Sequence, residues 1–251
     1  MLGKYLIIQV GFLLIFSACQ PTRQVKVHSH NDYAQQNPFQ NAYDNQIASI
    51  EIDIFLKDGI LYVSHDKHEI VAENDIESMY LKPLQKEQNK SSLVIQELQL
   101  LIDFKSDAQN TLKEFMKVLT GYTELLQNNN ISFVISGNRP PTQTYPDYPD
   151  YIMFDYQSLE EIQDPKIWKK IALISLPFAK YSKWSGKTKI SDTGYKNLKT
   201  LVKKAHRYGK PFRLWGTPDT ELVWTTLAEL GVDYINTDMP TVCALFLKNQ
   251  K

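Results

Sequence analysis

Two carboxylate side chains lie two residues apart in one apolar run of the sequence. The run Ile-Ala-Ser-Ile-Glu-Ile-Asp-Ile-Phe-Leu, residues 47–56, is typical of a β-strand and carries Glu51 and Asp53. Because alternate residues of a strand point to opposite faces, both carboxylates lie on one face and the isoleucines on the other. Acidic side chains are depleted in strands and are seldom buried without a partner or a metal ion. This pair therefore predicts a cation at the face that they share.

Further groups suited to metal binding and proton transfer end other apolar runs. His28 ends the first run, and Ser64-His65-Asp66 ends another. A later run, residues 98–105, carries Asp103 and Lys105 on one face. Three carboxylates from neighbouring strands suit Mg²⁺ or Ca²⁺ better than Zn²⁺, which favours His and Cys ligands. With two histidines as acid and base, and a lysine that adds positive charge, such a site suits phosphoryl chemistry.

Strand-like and helix-like patterns alternate along the chain from Val25 onward. The predicted strands are Val25–His28, Ser49–Phe55 with Leu61–His65, Leu98–Lys105, Ser132–Ser136, Tyr151–Asp155, Ile171–Leu176, Phe212–Trp215 and Tyr234–Thr237. Apolar residues at three- and four-residue spacing predict helices over residues 108–126, 195–208 and 220–230. Asp219 is a possible cap for the last helix, which Gly231 ends.

This alternation predicts one (β/α)8 barrel, a TIM barrel, over residues 25–251. About eight strand–helix units in roughly 225 residues fit that fold, whose active sites lie at the carboxyl ends of the strands. A doubly wound open sheet is the competing arrangement. Since no Gly-x-Gly-x-x-Gly turn follows the first strand, a dinucleotide site has no support. In a barrel, the acidic and histidine side chains named above meet at one rim.

Composition limits the classes of partner. The chain has 251 residues, 43% of them hydrophobic, and Lys plus Arg equals Asp plus Glu at 28 each. Without net charge, no long-range field favours nucleic acid. We expect a monomer that does not bind nucleic acid.

The amino terminus predicts export. Lys4 precedes an apolar run, Tyr5 to Phe16, which is too short for a comfortable membrane span. The run is followed by Ser17-Ala18-Cys19, and this order is typical of a secretory signal. Small residues before a cysteine resemble the signal of bacterial lipoproteins, and an ordinary signal peptide is the alternative.

The lipoprotein interpretation divides the first residues into two segments. Residues 1–18 are the expected signal peptide, Cys19 the lipidated first mature residue, and residues 19–24 a tether. We therefore expect an exported bacterial lipoprotein of the cell envelope, in the periplasm or at the outer membrane, held to the membrane by the lipid on Cys19.

The order and spacing of the motifs resemble those of the glycerophosphodiester phosphodiesterase and phosphatidylinositol-specific phospholipase C-like superfamily of α/β barrels. That family has His-Arg-Gly after its first strand, then Glu-x-Asp, His-Asp, Glu-x-Lys and a final Leu-Gly-Val-Asp-x-x-x-Thr-Asp-x-Pro. The corresponding segments here are His28-Ser29-His30, Glu51-Ile52-Asp53, His65-Asp66, Asp103-Phe104-Lys105 and Leu230–Pro240. The resemblance runs from about Val25 to Pro240.

Two segments depart from the usual family pattern. His28-Ser29-His30-Asn31-Asp32-Tyr33 and Ile135-Ser136-Gly137-Asn138-Arg139-Pro140 look more like a divergent branch, which includes the fungal Altered inheritance of mitochondria protein 6. Members of that branch are named for fold more than for a settled substrate.

The resemblance implies a metal-dependent phosphodiesterase acting on a glycerol- or inositol-type phosphodiester, either a small molecule or a phospholipid head group. It implies that Glu51, Asp53 and Asp103 hold one divalent cation, Mg²⁺ or Ca²⁺, and that His28 and His65 are the acid/base pair. The expected substrate-binding residues are His30, Asn31, Lys105, Asn138, Arg139 and Trp215. Two alternatives stay open: His30 in place of His28, and Arg139 as a solvated loop residue.

The connection after the fourth predicted strand has an unusual composition. Residues 138–150 contain four prolines and two tyrosines, which predict a stiff, non-helical loop. This loop could wall a pocket, contact lipid or only turn the chain.

Two other functions compete with hydrolysis of a phosphodiester. A lipid-anchored protein could keep the barrel and bind a phosphorylated head group without cleaving it, because fold alone does not fix function. The substitutions at Asp103 and after His28 keep this hypothesis open. Hydrolysis or lyase action on a non-phosphate ester at the same metal is a third, weaker option.

Overall fold

The computed structural model describes residues 24–90 and 97–250. Its strands are β1 (Lys26–Ser29), β2 (Ser49–Lys57), β3 (Ile60–Val63), β4 (Leu98–Phe104), β5 (Ile131–Gly137), β6 (Ile152–Tyr156), β7 (Ile171–Pro177), β8 (Phe212–Trp215) and β9 (Tyr234–Thr237). Each predicted strand is present, with ends within two residues of the expected ones.

Eight of these strands form a closed parallel barrel, which confirms the predicted fold. Strand β1 pairs in parallel with both β2 and β9, and the remaining strands follow one another around the ring. Strand β3 lies outside the ring as an antiparallel addition to β2. The two strands are joined by Asp58-Gly59, both at positive φ, as a tight hairpin turn requires.

Helices connect the strands around the outside of the barrel. They are α1 (Gln40–Asp44), α2 (Lys82–Lys90), α3 (Ala108–Leu119), α4 (Thr123–Gln127), α5 (Pro165–Lys170), α6 (Phe178–Tyr181), α7 (Asp192–Arg207), α8 (Glu221–Leu230) and α9 (Pro240–Asn249). Short 3₁₀ segments occur at Asp32–Ala34, Lys67–Glu69 and Thr142–Asp147, and a π-helical stretch, Glu77–Leu81, leads into α2.

One predicted helix is divided into two. The expected helix over residues 108–126 ends at Leu119, and α4 begins after a break at residues 120–122. At the break, the amide of Gly121 bonds to the carbonyl of Val118, three residues back instead of four. Glycine is a poor helix former, so the helix tightens and ends there.

Side-chain caps set the starts of the last long helices. Ser191 accepts a hydrogen bond from the amide of Gly194, and α7 therefore begins at Asp192, one turn before the predicted residue 195. Thr220, and not the predicted Asp219, caps α8 by accepting from the amide of Val223.

Side chains of the barrel strands alternate between its interior and the layer under the helices. On β2 the three isoleucines 50, 52 and 54 are fully buried in the outer core, and the carboxylates of Glu51 and Asp53 face inward. An apolar cluster fills the interior below them: Leu101, Val134, Leu173 and Tyr234. Each member lies two residues before an inward polar residue of its own strand: Asp103, Ser136, Ser175 and Asn236. The interior is therefore a polar layer above an apolar one.

Candidate active site

Glu51 lies in the polar layer and is paired with an arginine from the far side of the barrel. Its Oε2 is 2.7 Å from Nη1 of Arg213 and 2.7 Å from Nε2 of His28. The Arg213 guanidinium also contacts the imidazole of His28. Nδ1 of His28 is 2.7 Å from the hydroxyl of Ser49, to which Gln99 donates at 2.7 Å. These bonds fix both ring nitrogens of His28 and the carboxylate of Glu51.

Burial and charge determine how these groups ionise. Burial, together with the charge of Arg213, lowers the pKa of His28 to about 4, so the imidazole is neutral at pH 7. Burial alone would raise the pKa of Glu51, but Arg213 and His28 together hold it well below its usual range. Glu51 and Arg213 therefore form an ion pair beside a neutral histidine.

The two carboxylate oxygens of Asp53 have different surroundings. Its Oδ2 accepts a hydrogen bond from the Tyr33 hydroxyl at 2.8 Å and lies 2.9 Å from Nδ1 of His65. The same oxygen is 3.1 Å from Nζ of Lys105. Its Oδ1 is buried and has no hydrogen-bond partner among the described residues. Because an unpaired buried carboxylate oxygen is costly, this oxygen is suited to a ligand that the protein chain does not supply.

Asp103 brings a third carboxylate to the same place. Glu51, Asp53 and Asp103 each offer an oxygen, and these atoms lie within 4.8 Å of one another. Burial raises the pKa of Asp103 to about 6; Lys105 opposes this shift, and the two other carboxylates add to it. Since carboxylate oxygens are the ligands of hard divalent ions, these acidic groups could bind a metal.

Gly137, at the end of β5, makes room for the Asp103 carboxylate. Its φ is +63°, and a Cβ at this position would lie 2.1 Å from Oδ1 of Asp103. A side chain here would displace the carboxylate. The glycine is therefore needed both for its backbone conformation and for the space beside the acidic group.

The two predicted catalytic histidines occupy different environments. The His28 side chain is 0% exposed, whereas that of His65 is 57% exposed at the barrel mouth. Nδ1 of His65 lies against the Asp53 carboxylate, and Nε2 of this largely exposed ring has no partner among the described residues. His65 is therefore the histidine that an incoming molecule reaches directly.

The predicted substrate-binding residues on the first and eighth barrel strands lie at the rim. His30 follows β1, and its Nδ1 is 2.6 Å from Oδ1 of Asp238. Asn31 follows in the left-handed conformation, with φ of +45°. Trp215 ends β8 and is 38% exposed. Among the described residues, no hydrogen bond or ion pair joins these three residues to Glu51, Asp53 or Asp103.

Asn138 and Arg139 lie on the other side, after β5. The side-chain amide of Asn138 donates to the backbone carbonyl of Ser106 at 3.0 Å. Nη1 of Arg139 is 4.0 Å from Oδ2 of Asp155, the carboxylate that also lies 3.8 Å from Arg213. Lys105 is the predicted substrate-binding residue that lies among the acidic groups, as its ion pairs with Asp53 and Asp103 show.

Sequence comparison identifies relatives of the chain. Residues 17–134 match the family described as AIM6-like phosphodiesterase domain, and residues 211–241 match the glycerophosphoryl diester phosphodiesterase family. Altered inheritance of mitochondria protein 6 of Eremothecium gossypii is 27% identical, over 85% of this chain and 67% of that protein. Its homolog from Arthroderma benhamiae is 26% identical, over 85% and 81% of the two chains.

Solved structures agree on the fold. A glycerophosphodiester phosphodiesterase from Parabacteroides distasonis superposes with a TM-score of 0.60 at 17% identity, covering 90% of this chain and 98% of the other. One from Agrobacterium tumefaciens gives 0.56 at 15% identity, covering 88% and 100%. The two family matches and the fungal relatives support a place for the chain in the divergent AIM6-like branch of the glycerophosphodiester phosphodiesterase-like superfamily. Both matched family models are described as phosphodiesterases, and this points to phosphodiesterase activity.

The AIM6-like relatives correct the predicted localisation. An exported bacterial lipoprotein of the cell envelope was expected, but the matched relatives are fungal proteins from Eremothecium gossypii, Arthroderma benhamiae and Kluyveromyces lactis. That prediction, with its signal peptide, lipoprotein and membrane assignments, is wrong. Residues 1–18 and Cys19, on which it depended, lie outside the described residues. Within the described ranges, no helix is both long and apolar enough to cross a bilayer.

Two residues of this AIM6-like site were not among the sequence predictions. Arg213 is the basic residue of an otherwise apolar strand, and its inward position in Phe212-Arg213-Leu214-Trp215 was the available signal. Tyr33 had no such signal, since its bond to Asp53 depends on the path of the loop between β1 and α1. That path is set by the contacts of Asp32.

Asp32 holds the loop by three hydrogen bonds to one buried carboxylate. It accepts from the hydroxyls of Ser29 at 2.8 Å and Tyr80 at 3.1 Å, and from the amide of Phe39 at 2.7 Å. Phe39 adopts φ of +63° and ψ of −61°, a rare and strained turn conformation for a non-glycine residue. The buried carboxylate therefore stabilises a strained loop that carries Tyr33 to the site.

Proposed function

We propose that this chain is a metal-dependent phosphodiesterase that hydrolyses a glycerol- or inositol-type phosphodiester. The observation that carries the proposal is the asymmetry of Asp53. Its Oδ2 faces three donor groups, and its Oδ1 is buried without a partner among the described residues. The Asp53 carboxylate also offers an oxygen within 4.8 Å of oxygens of Glu51 and Asp103. Together with the phosphodiesterase-like fold, this arrangement supports a divalent cation at the three carboxylates.

Charge supports a divalent ion of the Mg²⁺ or Ca²⁺ type. Three carboxylates face the cationic side chains of Arg213 and Lys105, and His28 is neutral, so the site has one net negative charge. A divalent cation would leave one net positive charge, which suits a singly charged phosphodiester. The absence of a Cys ligand and the all-oxygen donor set among the described residues favour a hard ion over zinc.

Each part of the site has a proposed role toward the phosphate. Bound at the carboxylates, the cation would neutralise charge on the non-bridging phosphate oxygens. Burial alone would lower the pKa of Lys105, but Asp103 and Asp53 outweigh it and raise that pKa, so the ammonium stays charged beside the phosphate. The rim residues His30, Asn31 and Trp215 would contact the rest of the substrate.

His28 and His65 are the proposed acid/base pair, with unequal access. The exposed ring of His65, held by Asp53 through Nδ1, would take or give a proton through Nε2 at the attacking or leaving oxygen. His28 is covered by Glu51 and Arg213, so its proton transfer to a substrate requires that Arg213 move. Without that movement, His28 orients Glu51.

Hydrolysis of a phosphodiester panel with Mg²⁺, Ca²⁺, Mn²⁺ or chelator tests the proposal. We expect activity that chelator removes reversibly, and a loss of about 10²- to 10⁴-fold in His65→Ala, the range for a proton-transfer group. Glu51→Gln should also lose activity, because it removes one of the three carboxylates proposed to bind the cation. His68→Ala is the matched control, because His68 is an exposed histidine three residues away that is not part of the site. Full activity in excess chelator would overturn the cation mechanism.

Binding without turnover is the outcome that would replace this function. If no phosphodiester in the panel is cleaved but a phosphorylated head group binds saturably, the chain recognises its ligand without hydrolysing it.

A further inference from the structure

Arg213 lies between two buried carboxylates and is hydrogen-bonded to only one of them. Its Nη1 donates to Oε2 of Glu51 at 2.7 Å, whereas its Nη2 is 3.8 Å from Oδ2 of Asp155. A charge-assisted hydrogen bond measures about 2.8 Å, so a shift of about 1 Å would bring Nη2 into bonding distance of Asp155. A second anionic partner is therefore within reach of the guanidinium.

Atoms on both sides of this second contact lack hydrogen-bond partners. Among the described residues, Oδ1 of Asp155 and Nε of Arg213 are buried and unpaired. The other oxygen of Asp155, Oδ2, accepts from the hydroxyls of Ser136 at 3.0 Å and Ser175 at 2.6 Å, which hold the carboxylate in place. Native proteins pair the great majority of buried polar atoms, and exceptions call for a functional reason. A guanidinium closer to Asp155 would supply donors to a carboxylate that still has room for them.

The proposed cation gives Arg213 a reason to move. Glu51 is one of the three carboxylates that lie close enough together to hold a divalent ion. An ion bound there competes with the guanidinium for the same carboxylate, and the two positive charges repel each other. Asp155 is the acidic group that can take the arginine, because its other basic neighbour, Nη1 of Arg139, is 4.0 Å away. Repulsion at Glu51 and the open carboxylate on β6 favour the same displacement.

We propose that Asp155 is a positioning residue, which receives the guanidinium of Arg213 when a divalent cation binds at Glu51. This inference rests on the proposed function, because it requires the cation at the three carboxylates. Arg213 neutralises Glu51 in the cation-free protein and Asp155 in the loaded protein. Since an unpaired buried charge costs several kcal/mol, a partner in both states keeps the arginine from opposing cation binding.

The displacement of Arg213 uncovers His28. In the cation-free protein the guanidinium contacts Nε2 of this buried imidazole. With the guanidinium on Asp155, Nε2 keeps Glu51 as a neighbour and loses the cationic group that covers it. Cation binding therefore removes the obstacle to proton transfer by His28.

Calorimetric titration with Mg²⁺ or Ca²⁺, without substrate, tests the proposal in a double-mutant cycle. Asp155→Asn should weaken cation binding by about 10-fold or more, the scale of one hydrogen bond to a charged group. In an Arg213→Met background the same substitution should change the affinity by about 3-fold or less, because no guanidinium has to be received. Arg139→Met is the matched control background, in which Asp155→Asn should keep its full effect. A loss of the same size in all three backgrounds would overturn the proposal, since Asp155 would then act through its charge alone.

Crystal structures of the wild-type protein with and without Mn²⁺ give a second measurement, which does not depend on the folding of any variant. With the ion bound, we expect a guanidinium nitrogen of Arg213 at about 3 Å from Asp155 and no hydrogen bond to Glu51. An ion at the three carboxylates with Arg213 still bonded to Glu51 would overturn the role of Asp155 and leave the proposed function intact. Failure of any ion to bind in both experiments would overturn the cation-dependent function and this inference together.

Discussion

Arg213 and Glu51 form a buried ion pair although 162 positions separate them in the chain. Nη1 of Arg213 donates to Oε2 of Glu51 at 2.7 Å, and the two side chains are 3% and 7% exposed. Nη2 of the same guanidinium is 3.8 Å from Asp155. One arginine therefore connects the acidic groups on β2 with Asp155 on β6, across the interior of the barrel. Removing one member of such a pair leaves the other charged and buried, which costs far more than losing a surface ion pair.

Arg213→Met should destabilise the metal-free protein strongly. We expect the free energy of unfolding in chelator to fall by about 3–5 kcal/mol, because Glu51 stays buried without its cationic partner. Added Mg²⁺ or Ca²⁺ should restore part of this loss by supplying the missing positive charge. Urea unfolding with and without the ion measures both effects. An equal loss in both conditions would show that the cation does not reach Glu51.

Tyr33→Phe should weaken cation binding while the fold is kept. The substitution removes the hydroxyl that holds Oδ2 of Asp53 and leaves the direction of Oδ1 less well fixed. Losing a partner that orients a metal ligand typically weakens affinity by about 10- to 100-fold. Calorimetric titration with Mg²⁺ and Ca²⁺ measures the change. Tyr43→Phe is the control, since this ring stacks on Phe39 and lies outside the site. Wild-type affinity in Tyr33→Phe would mean that His65 and Lys105 suffice to orient Asp53.

Gly137→Ala should damage the site more than backbone strain alone explains. Gly137 and Gly209 have similar positive φ values, +63° and +71°, but only at Gly137 does a Cβ meet other atoms, 2.1 Å from the Asp103 carboxylate. Gly209→Ala therefore measures the cost of backbone strain alone, a loss of about 1 kcal/mol in the free energy of unfolding. We expect Gly137→Ala to lose more stability than this control in urea unfolding, and also to lose cation affinity. Similar losses in the two variants would contradict the tight packing at Asp103.

His28 should make stability fall as the solution becomes acidic. The pKa of His28 is lowered from 6.5 to about 4 in the folded protein, so between these values the unfolded chain binds a proton that the native protein does not. The contribution of His28 to the free energy of unfolding is fully present above pH 6.5, the pKa in the unfolded chain, and is lost as the pH falls toward 4. In chelator, the free energy of unfolding of the wild type relative to His28→Gln should fall by about 2–3 kcal/mol from pH 7 to pH 4. A constant difference across this range would contradict the burial of a neutral imidazole.

Asp103 should give a pH dependence of the opposite sign. Its pKa is raised from 3.8 to about 6, so the native protein keeps a proton that the unfolded chain has released. Stability from this group is present at low pH and is lost as the pH rises through 6. The wild type relative to Asp103→Asn, in chelator, should lose about 2 kcal/mol from pH 4 to pH 7. Urea unfolding of both proteins at several pH values measures this change. A difference that rises with pH would show that Lys105 compensates Asp103 fully.

The strands and the acidic groups could be predicted because both follow a two-residue period. The isoleucines at positions 50, 52 and 54 and the acids Glu51 and Asp53 occupy alternate positions, which is sufficient to infer a strand with one polar face. The carboxyl ends of parallel strands meet at one rim, so the sequence alone predicts Asp103 beside these two acids, as the structure shows.

Contacts that depend on loop path and on pairing across the barrel could not be predicted in this way. Tyr33 reaches Asp53 only because the buried carboxylate of Asp32 holds a strained turn at Phe39. The partner of Arg213 depends on which inward positions face each other across the closed ring, and one strand's period does not contain that information. For the same reason, the full burial of His28 could not be told from its position at the end of an apolar run.

The apolar cluster of Leu101, Val134, Leu173 and Tyr234 has a consequence for traffic through the molecule. In the described part of the chain, it seals the floor of the barrel beneath the polar layer, so the barrel is a cup and not a tube. A molecule that enters at the barrel mouth therefore has to leave through the same opening. Under the proposed function, the phosphomonoester product and the next phosphodiester would compete for the same opening, and the product would have to leave before the next substrate arrives.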